Sequence, residues 1–517
     1  MREEILSVIR ERGLLMERAV LDLLDSFKDS GLAKEFLLNL ERISGQKMIS
    51  LKLLNNNVEF VDSIVKKMPG EEKSLLEKTF VKLGLSLEVR KEREILEEKA
   101  GERRENELGY KVFYADTKPD KKLEVKDFTN YFRTRYIGLQ RILMSRAELQ
   151  GDLVSINKIS GDRQRLSVIG IVTEKRLTKN KNIIIKFEDL TGEISALVKM
   201  EGDAFKKVEE LQLDDVVGVR GSGNRDLLFV HDIIYPDIFL EEKTRFDRDM
   251  NIAFISDIHC GSDRHLKKSF ESFLEWINSN EEAKRIKYLF LVGDNVDGVG
   301  IFPGQENVLD MKSMKEQYDL LAHYLKRIPE HITMFMCPGQ HDATRVAEPQ
   351  PIISKRYAES LYSIENLVLV TNPCLVKLIE KEKEFKVLMY HGASMHAFVN
   401  EIKELREMDV YKSPAKIVKY MLKKRHLSPT HGDAVYIPNA DVDPLLIKEV
   451  PDVLCTGEVH HLDIDSYNGV RIITGSCWQA TTDFEEKVGH VPDPCKVPVM
   501  NLKSGEIKVF DFSEEER

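Results

Sequence analysis

With 517 residues, the chain is about three times as long as a typical domain and cannot close around a single core. Hydrophobic residues make up 42% and charged residues 32% of it, and no apolar run approaches the roughly 20 residues a bilayer span needs, which excludes a membrane protein. The 77 basic and 87 acidic residues leave a net charge of −10, so nucleic acid is not held by bulk positive charge; any such contact must be local or shared with a partner.

The N-terminus MREEILSVIRERGLL is charged and helically patterned, with no apolar signal core, and a cytoplasmic location is expected. Residues 1–75 carry apolar positions at helical intervals (Ile5, Val8, Ile9, then Val20, Leu23, Leu24, Phe27), which predicts a small helical domain. Pro69-Gly70 ends it, and VRKEREILEEKAGERRENEL follows, dense in both charge signs; residues 76–149 are expected to form a charged linker. Between 150 and 240, short β-branched runs separated by turns predict five or so strands with a helical interruption near Ala204–Leu211. That pattern suits a barrel of the oligonucleotide-binding type, with Phe187 and Phe229 serving its core.

From 247 to 517, apolar strands alternate with helical stretches, the signature of an α/β domain. The six cysteines, at 260, 337, 374, 455, 477 and 495, show no paired spacing and are expected to be reduced. The fold class predicted is therefore multidomain α+β: helical domain, barrel, and α/β sandwich.

Five strands end in chemically distinctive residues. NIAFIS runs into Asp257 and His259, YLFLV into Asp294 and Asp297, ITMFMCP into Gln340, His341 and Asp342, FKVLMY into His391, and DVLCT into Glu458, His460 and His461. Open α/β sheets bind ligands at such carboxyl ends. Mixed carboxylate, imidazole and amide donors are a divalent-metal inventory, and two ions sharing a carboxylate serve phosphoester cleavage. One such strand end is ordinarily a turn or capping residue; the ordered set of five carries the reading.

That ordered set, over about residues 250–480, resembles the calcineurin-like metallophosphoesterases, whose pattern is D-x-H, G-D-x-x-D, G-N-H-D/E, H and G-H-x-H. Preceded by a barrel and followed by GSCWQATTDFEEKVGHVPDPCKVPVMNL, it looks like the small-subunit family of archaeal family D DNA polymerases. The resemblance implies a 3′-to-5′ exonuclease that proofreads for a separate large catalytic subunit, acting on single-stranded or mismatched 3′ ends of DNA, with a sliding clamp as a further candidate partner. Carried over residue by residue, it makes Asp257, His259 and His460 ligands of one metal, Asp294 the bridging carboxylate, and Gln340, His391 and the residue at 458 ligands of the second. His341 is the implied catalytic histidine, with Asp342 orienting it.

Two positions depart from the pattern. Gln340 stands where the family has Asn, keeping the amide oxygen on a side chain one methylene longer, and Glu458 where it has the first His of G-H-x-H; the carboxylate favours hard, oxygen-loving ions, manganese or magnesium ahead of iron or zinc. Two other functions stay open on sequence alone: a scaffold subunit that docks the large subunit without cleaving, and a phosphatase of the same superfamily. Lys416, Lys419 and Lys423, at helical spacing after His391, form a candidate DNA-binding face. An ordinary solvated helix face is the alternative. Trp478 and the histidines at 265, 323, 331, 396 and 426 are expected to serve packing or the surface.

Overall fold

The computed structural model describes scattered positions between residues 7 and 49 and, apart from 118–121, 202 and 514–517, residues 108–513. The chain divides into two compact units, residues 1–100 and 101–517. In the first, β1 (Leu15–Met16) pairs in parallel with β2 (Met48–Ile49), and Leu14, Val20, Leu24, Ala33 and Leu37 are buried. The remainder of the expected helical domain lies outside the described residues.

From residue 108 the expected linker is folded structure. Strand β3 (Leu108–Tyr114) pairs over its whole length with β13 (Cys374–Glu380), antiparallel. Helix α1 (Val125–Met144) buries Tyr136, Leu139 and Leu143 against Leu149 and against Ile169, Val216 and Ile234 of the barrel, each contributing about 1.5–3 kcal/mol of hydrophobic burial. Arg135 of α1, fully buried, donates from Nε to Asp443 Oδ2 at 2.8 Å. Composition suggested a tether here, but the apolar positions recur every three or four residues and the helix docks.

The next five strands, β4 (Gln164–Leu177), β5 (Ile183–Asp189), β6 (Gly192–Val198), β7 (Val216–Gly223) and β8 (Leu228–Ile234), close into a barrel in the order β4-β5-β6-β8-β7, with α2 (Asp203–Glu209) between the third and fourth. Val168, Ile185, Phe187, Ala196, Val219 and Ile233 fill it. Phe187 is core as expected; Phe229 is half-buried beneath the Arg163 guanidinium, 5.4 Å from its ring centre.

The remaining residues form four layers. One sheet runs β12 (Leu367–Leu369), β11 (Thr333–Cys337), β10 (Ile286–Val292), β9 (Asn251–Ile255), β18 (Lys496–Asn501), β19 (Ile507–Asp511). The other runs β16 (Asp463–Tyr467), β17 (Val470–Thr474), β15 (Val453–Thr456), β14 (Lys383–Met389), β13, β3. Strand alternation sorts the side chains. Phe254, Phe290 and Phe335 meet Val376, Val387, Val453 and Ile473 between the sheets. Ala253, Leu289 and Met334 face outward onto α3 (Lys267–Ser279) and α4 (Met314–Leu325), and Leu388, Leu454 and Ile472 onto α5 (Met395–Glu401) and α6 (Ala415–Lys424). Trp478 lies in the outer core beside Phe270, ring centres 4.8 Å apart. All six cysteines are buried and free. Among the described residues no helix is long and apolar enough to cross a membrane.

Candidate metal centre

The five strand ends named in the sequence are the carboxyl ends of β9, β10, β11, β14 and β15, and they converge. Asp257, His259 and His460 offer donor atoms within 4.8 Å of one another, as do Asp257, Asp294 and His391, and as do His259, Asp297 and His341. Asp257 is common to the first two groups, and Asp294, the expected bridge, has its Oδ2 3.3 Å from His391 Nε2 and 4.0 Å from His341 Nε2. The chain turns sharply to aim these side chains. Asp257, His259, Asp294, Glu458 and His460 all have φ between 44° and 71°, a left-handed conformation costing non-glycine residues about 1–3 kcal/mol each and concentrated at functional sites. Glycine is required beside them: a Cβ on Gly339 would lie 2.2 Å from Asp294 Oδ1, and one on Gly457 2.6 Å from Asp257 Oδ2.

Hydrogen bonds fix the imidazoles. His391 Nδ1 lies 2.8 Å from the Val292 carbonyl oxygen, which only accepts, so Nδ1 carries a proton and Nε2 is the nitrogen left to bind an ion. That Nε2 is buried without a hydrogen-bond partner, 3.3 Å from Asp294 Oδ2, 3.3 Å from Glu458 Oε2 and 3.9 Å from Asp257 Oδ1. His259 donates from Nδ1 to Asp297 Oδ1 and His460 from Nδ1 to Glu485 Oε1, both at 3.0 Å, leaving their Nε2 atoms facing each other at 3.2 Å. Two donors about 2.1 Å from a shared ion at a tetrahedral angle sit about 3.4 Å apart. Asp257 Oδ2 and Gln340 Oε1 are also buried and unpartnered. Imidazole nitrogens and carboxylates crowded together in a buried site, with orphaned oxygens among them, are a donor set that fits divalent cations.

Without an ion, the same carboxylates favour protons on the imidazoles, which a divalent cation would displace. Burial disfavours charge on His391, but Asp294, Glu458 and Asp257 outweigh it and hold the imidazole well above its ordinary range. Burial pushes Asp294 upward, and His391, His341 and His259 reverse this, holding the carboxylate far below its usual value. Glu458 is likewise held low, by His391 and His396 against burial. For Glu485 the hydrogen bond from His460 overcomes burial and brings it to about 2.

His341 is set apart from the ligands. Its Nδ1 donates to the Asp297 carbonyl oxygen at 2.6 Å and its backbone N–H to Asp294 Oδ1 at 2.9 Å, which leaves Nε2 4.0 Å from Asp294 Oδ2. Asp342 does not orient it. Its carboxylate accepts from Gly339 N, Asn295 N and Asn295 Nδ2 through Oδ2 and from Tyr318 Oη through Oδ1, bracing the loop beneath the site. Adjacent residues diverge here, and the partner of His341 is the main chain of Asp297. Sequence reasoning gave no role at the site to Asp297, Glu485 or His396; the signal for Asp297 was its place as the second acid of G-D-x-x-D. His396, assigned to packing or the surface, is exposed, with Nε2 3.5 Å from Glu458 Oε1.

The centre floors a cleft of about 800 Å³ whose upper walls include Phe302, Pro303, Tyr411, His490 and Val491. Lys416, Lys419 and Lys423 do not line it. Their helix α6 buries Ile417, Val418, Met421 and Leu422 as the spacing predicted, but Lys419 pairs with Asp465 and Lys423 with Glu210 of the barrel. Lys424 is buried in an ion pair with Asp215. Of the three candidate lysines, two are committed to holding α6 in place.

Residues 252–463 match the family model of the DNA polymerase alpha/epsilon B-subunits. The chain is 36% identical over 402 residues to the DNA polymerase II small subunit of Pyrococcus abyssi, 75% of this chain and 63% of that protein. It is 38% identical over 399 residues to that of Methanothermobacter thermautotrophicus, covering 75% and 80%, and 35% identical over 412 residues to that of Thermoplasma acidophilum, covering 78% and 81%. It thus spans less than two thirds of the Pyrococcus relative's length. A carboxylate and imidazole centre at five strand ends lies within the region matched by a polymerase-subunit family, and the chain belongs to the small-subunit family of archaeal DNA polymerase II, the family D polymerases.

Proposed function

We propose that this small subunit carries a two-metal phosphodiesterase of the calcineurin-like type, acting as a 3′-to-5′ exonuclease on DNA for a large catalytic subunit, with the five-stranded barrel serving as its oligonucleotide-binding-type module. The observation that carries the reading is the facing of His259 Nε2 and His460 Nε2 at 3.2 Å, each tautomer fixed by a carboxylate behind it. Asp257, His259 and His460 would hold one ion; Asp294, His391, Gln340 and Glu458 would surround the other. Divalent ions supply Lewis acidity toward a phosphate oxygen and lower the pKa of water.

The chain's own residues account for the rest. His341, with Nδ1 committed to the Asp297 carbonyl, presents Nε2 beside Asp294, where it contacts the scissile phosphate and gives a proton to the departing oxygen. Asp294, by accepting the His341 backbone N–H, ties that proton donor to the ligand cluster. Asp342 and Asn295 lock the Gly339 turn so that Gln340 and His341 keep their directions. Phe302 and Val491 give the cleft apolar edges suited to the faces of unpaired bases. The test is hydrolysis by the purified chain in manganese: release of nucleotides from a 3′-mismatched primer supports the reading. Turnover of nitrophenyl phosphate with none of DNA makes it a phosphatase, and no turnover with ions bound makes it a scaffold.

A further inference from the structure

The two residues that depart from the family pattern touch each other. Gln340 Nε2 donates to Glu458 Oε2 at 2.6 Å. A carboxylate oxygen only accepts, so the amide nitrogen must face it and the carbonyl oxygen Oε1 is turned the other way, where it is buried and has no partner. The second carboxylate oxygen, Glu458 Oε1, lies 3.5 Å from His396 Nε2, while His396 Nδ1 lies 3.1 Å from the Tyr411 hydroxyl. Glu458 is thereby held from both oxygens, on a residue with φ of 71°, and its Oε2 also lies 3.3 Å from His391 Nε2.

We propose that Gln340 and Glu458 are one interdependent ligand unit, each effective only with the other, and that His396 is the residue that positions it. This rests on reading the centre as a metal site. The stereochemistry explains the joint departure. An asparagine at 340 is shorter by one C–C bond, about 1.5 Å, and could not both donate to Glu458 and present its oxygen from the same backbone; Glu458 would then crowd Asp294 and Asp257 with one donor fewer. A histidine at 458 removes the oxygen acceptor that orients the Gln340 amide, leaving the longer side chain free to rotate. Restoring either family residue alone breaks the unit, and restoring both replaces it with the shorter amide and the imidazole. The ligands at this position are then mostly oxygen, with His391 the one imidazole, whereas the other position has His259 and His460; the first is suited to manganese or magnesium.

The experiment is a double-mutant cycle on the full chain, read by calorimetric titration with Mn²⁺ alone and by the Mn²⁺-induced shift in melting temperature. Parent protein should take up two ions. Gln340→Asn and Glu458→His should each weaken the lower-affinity ion at least tenfold, and the double variant should return to within about threefold of the parent. Because the His396 side chain is exposed, its replacement leaves the core untouched: His396→Leu should weaken the same ion, and His396→Gln, which keeps a donor at a similar reach, should restore it. Losses that simply multiply in the double variant, or a Glu458→His protein that binds more tightly than the parent, would overturn the interdependence. Equal binding by His396→Leu and parent would remove His396 from it. A parent that binds no manganese sinks the metal centre and this inference together, an outcome separable from two ions bound with additive losses.

Discussion

Asp297→Asn separates the two jobs that meet at one residue. The Asp297 carboxylate receives His259 Nδ1 at 3.0 Å and Gln479 Nε2 at 3.1 Å on Oδ1, and Gln305 Nε2 at 3.1 Å on Oδ2. Its main-chain carbonyl receives His341 Nδ1. Asparagine keeps one acceptor oxygen. With it facing His259 and Gln479, its own N–H groups oppose Gln305 Nε2, so one hydrogen bond to a charged acceptor is lost, worth about 1.5–3 kcal/mol, and His259 loses the negative charge that raises its basicity. Such changes behind a metal ligand typically weaken metal affinity 10–100-fold, about 1.4–2.7 kcal/mol. The main-chain acceptor of His341 is untouched. We therefore expect the Mn²⁺ concentration for half-maximal hydrolysis of single-stranded DNA to rise 10–100-fold while the rate at saturating Mn²⁺ stays within about threefold of the parent. The assay is a metal titration of single-turnover cleavage alongside direct Mn²⁺ binding. An unchanged half-saturation point, or a collapsed saturated rate with normal binding, would refute the division of roles.

Three further outcomes follow from other parts of the molecule. His341→Ala should lower hydrolysis on the order of 10²–10⁴-fold while two ions still bind, because the side chain is outside the ligand set; rate and metal content measured on one preparation decide it. Lys424→Met should cost about 3–5 kcal/mol in urea denaturation by stranding the buried Asp215 carboxylate, and Lys424→Met with Asp215→Leu should recover most of that. In metal-free protein, burial raises the Glu348 carboxyl from 4.5 to about 8, so folding takes up a proton between those values and stability is lost as pH rises through that window. Glu348→Gln should flatten this loss, which is on the order of a few kcal/mol between pH 5 and pH 8, as read by melting in chelator at both pH values; an unaltered slope would place the titration elsewhere.

The convergence of the candidate ligands was legible because each sits at the end of an apolar strand, so a motif and its position arrive together in the sequence. Side-chain partnership was less so. His341 and Asp342 are neighbours in the chain, yet the turn at Gly339 sends Asp342 down to Tyr318 and Asn295 while His341 turns to Asp297. Helical spacing correctly gave the buried face of α6, but what the opposite lysines do depends on Glu210 and Asp465, which only the folded chain brings near. The segment from 108 to 149 was judged by its neighbours' charge, although Tyr131, Arg135, Tyr136, Leu139 and Leu143 form a continuous buried stripe; its partners, the barrel and Asp443, lie far along the chain. The contact between Gln340 and Glu458 spans 118 residues, and each had looked like an isolated departure.

If donors at five strand ends hold two ions and cleave DNA from its 3′ end, metal uptake and cleavage must rise together. The most direct measurement counts Mn²⁺ bound per chain while following release of a labelled 3′-terminal nucleotide from single-stranded DNA in the same titration. Two ions per chain are expected, with nucleotide release that rises with the second ion and loss of both on chelation; two bound ions with no release of nucleotide, or release that persists in chelator, would contradict the two-metal exonuclease.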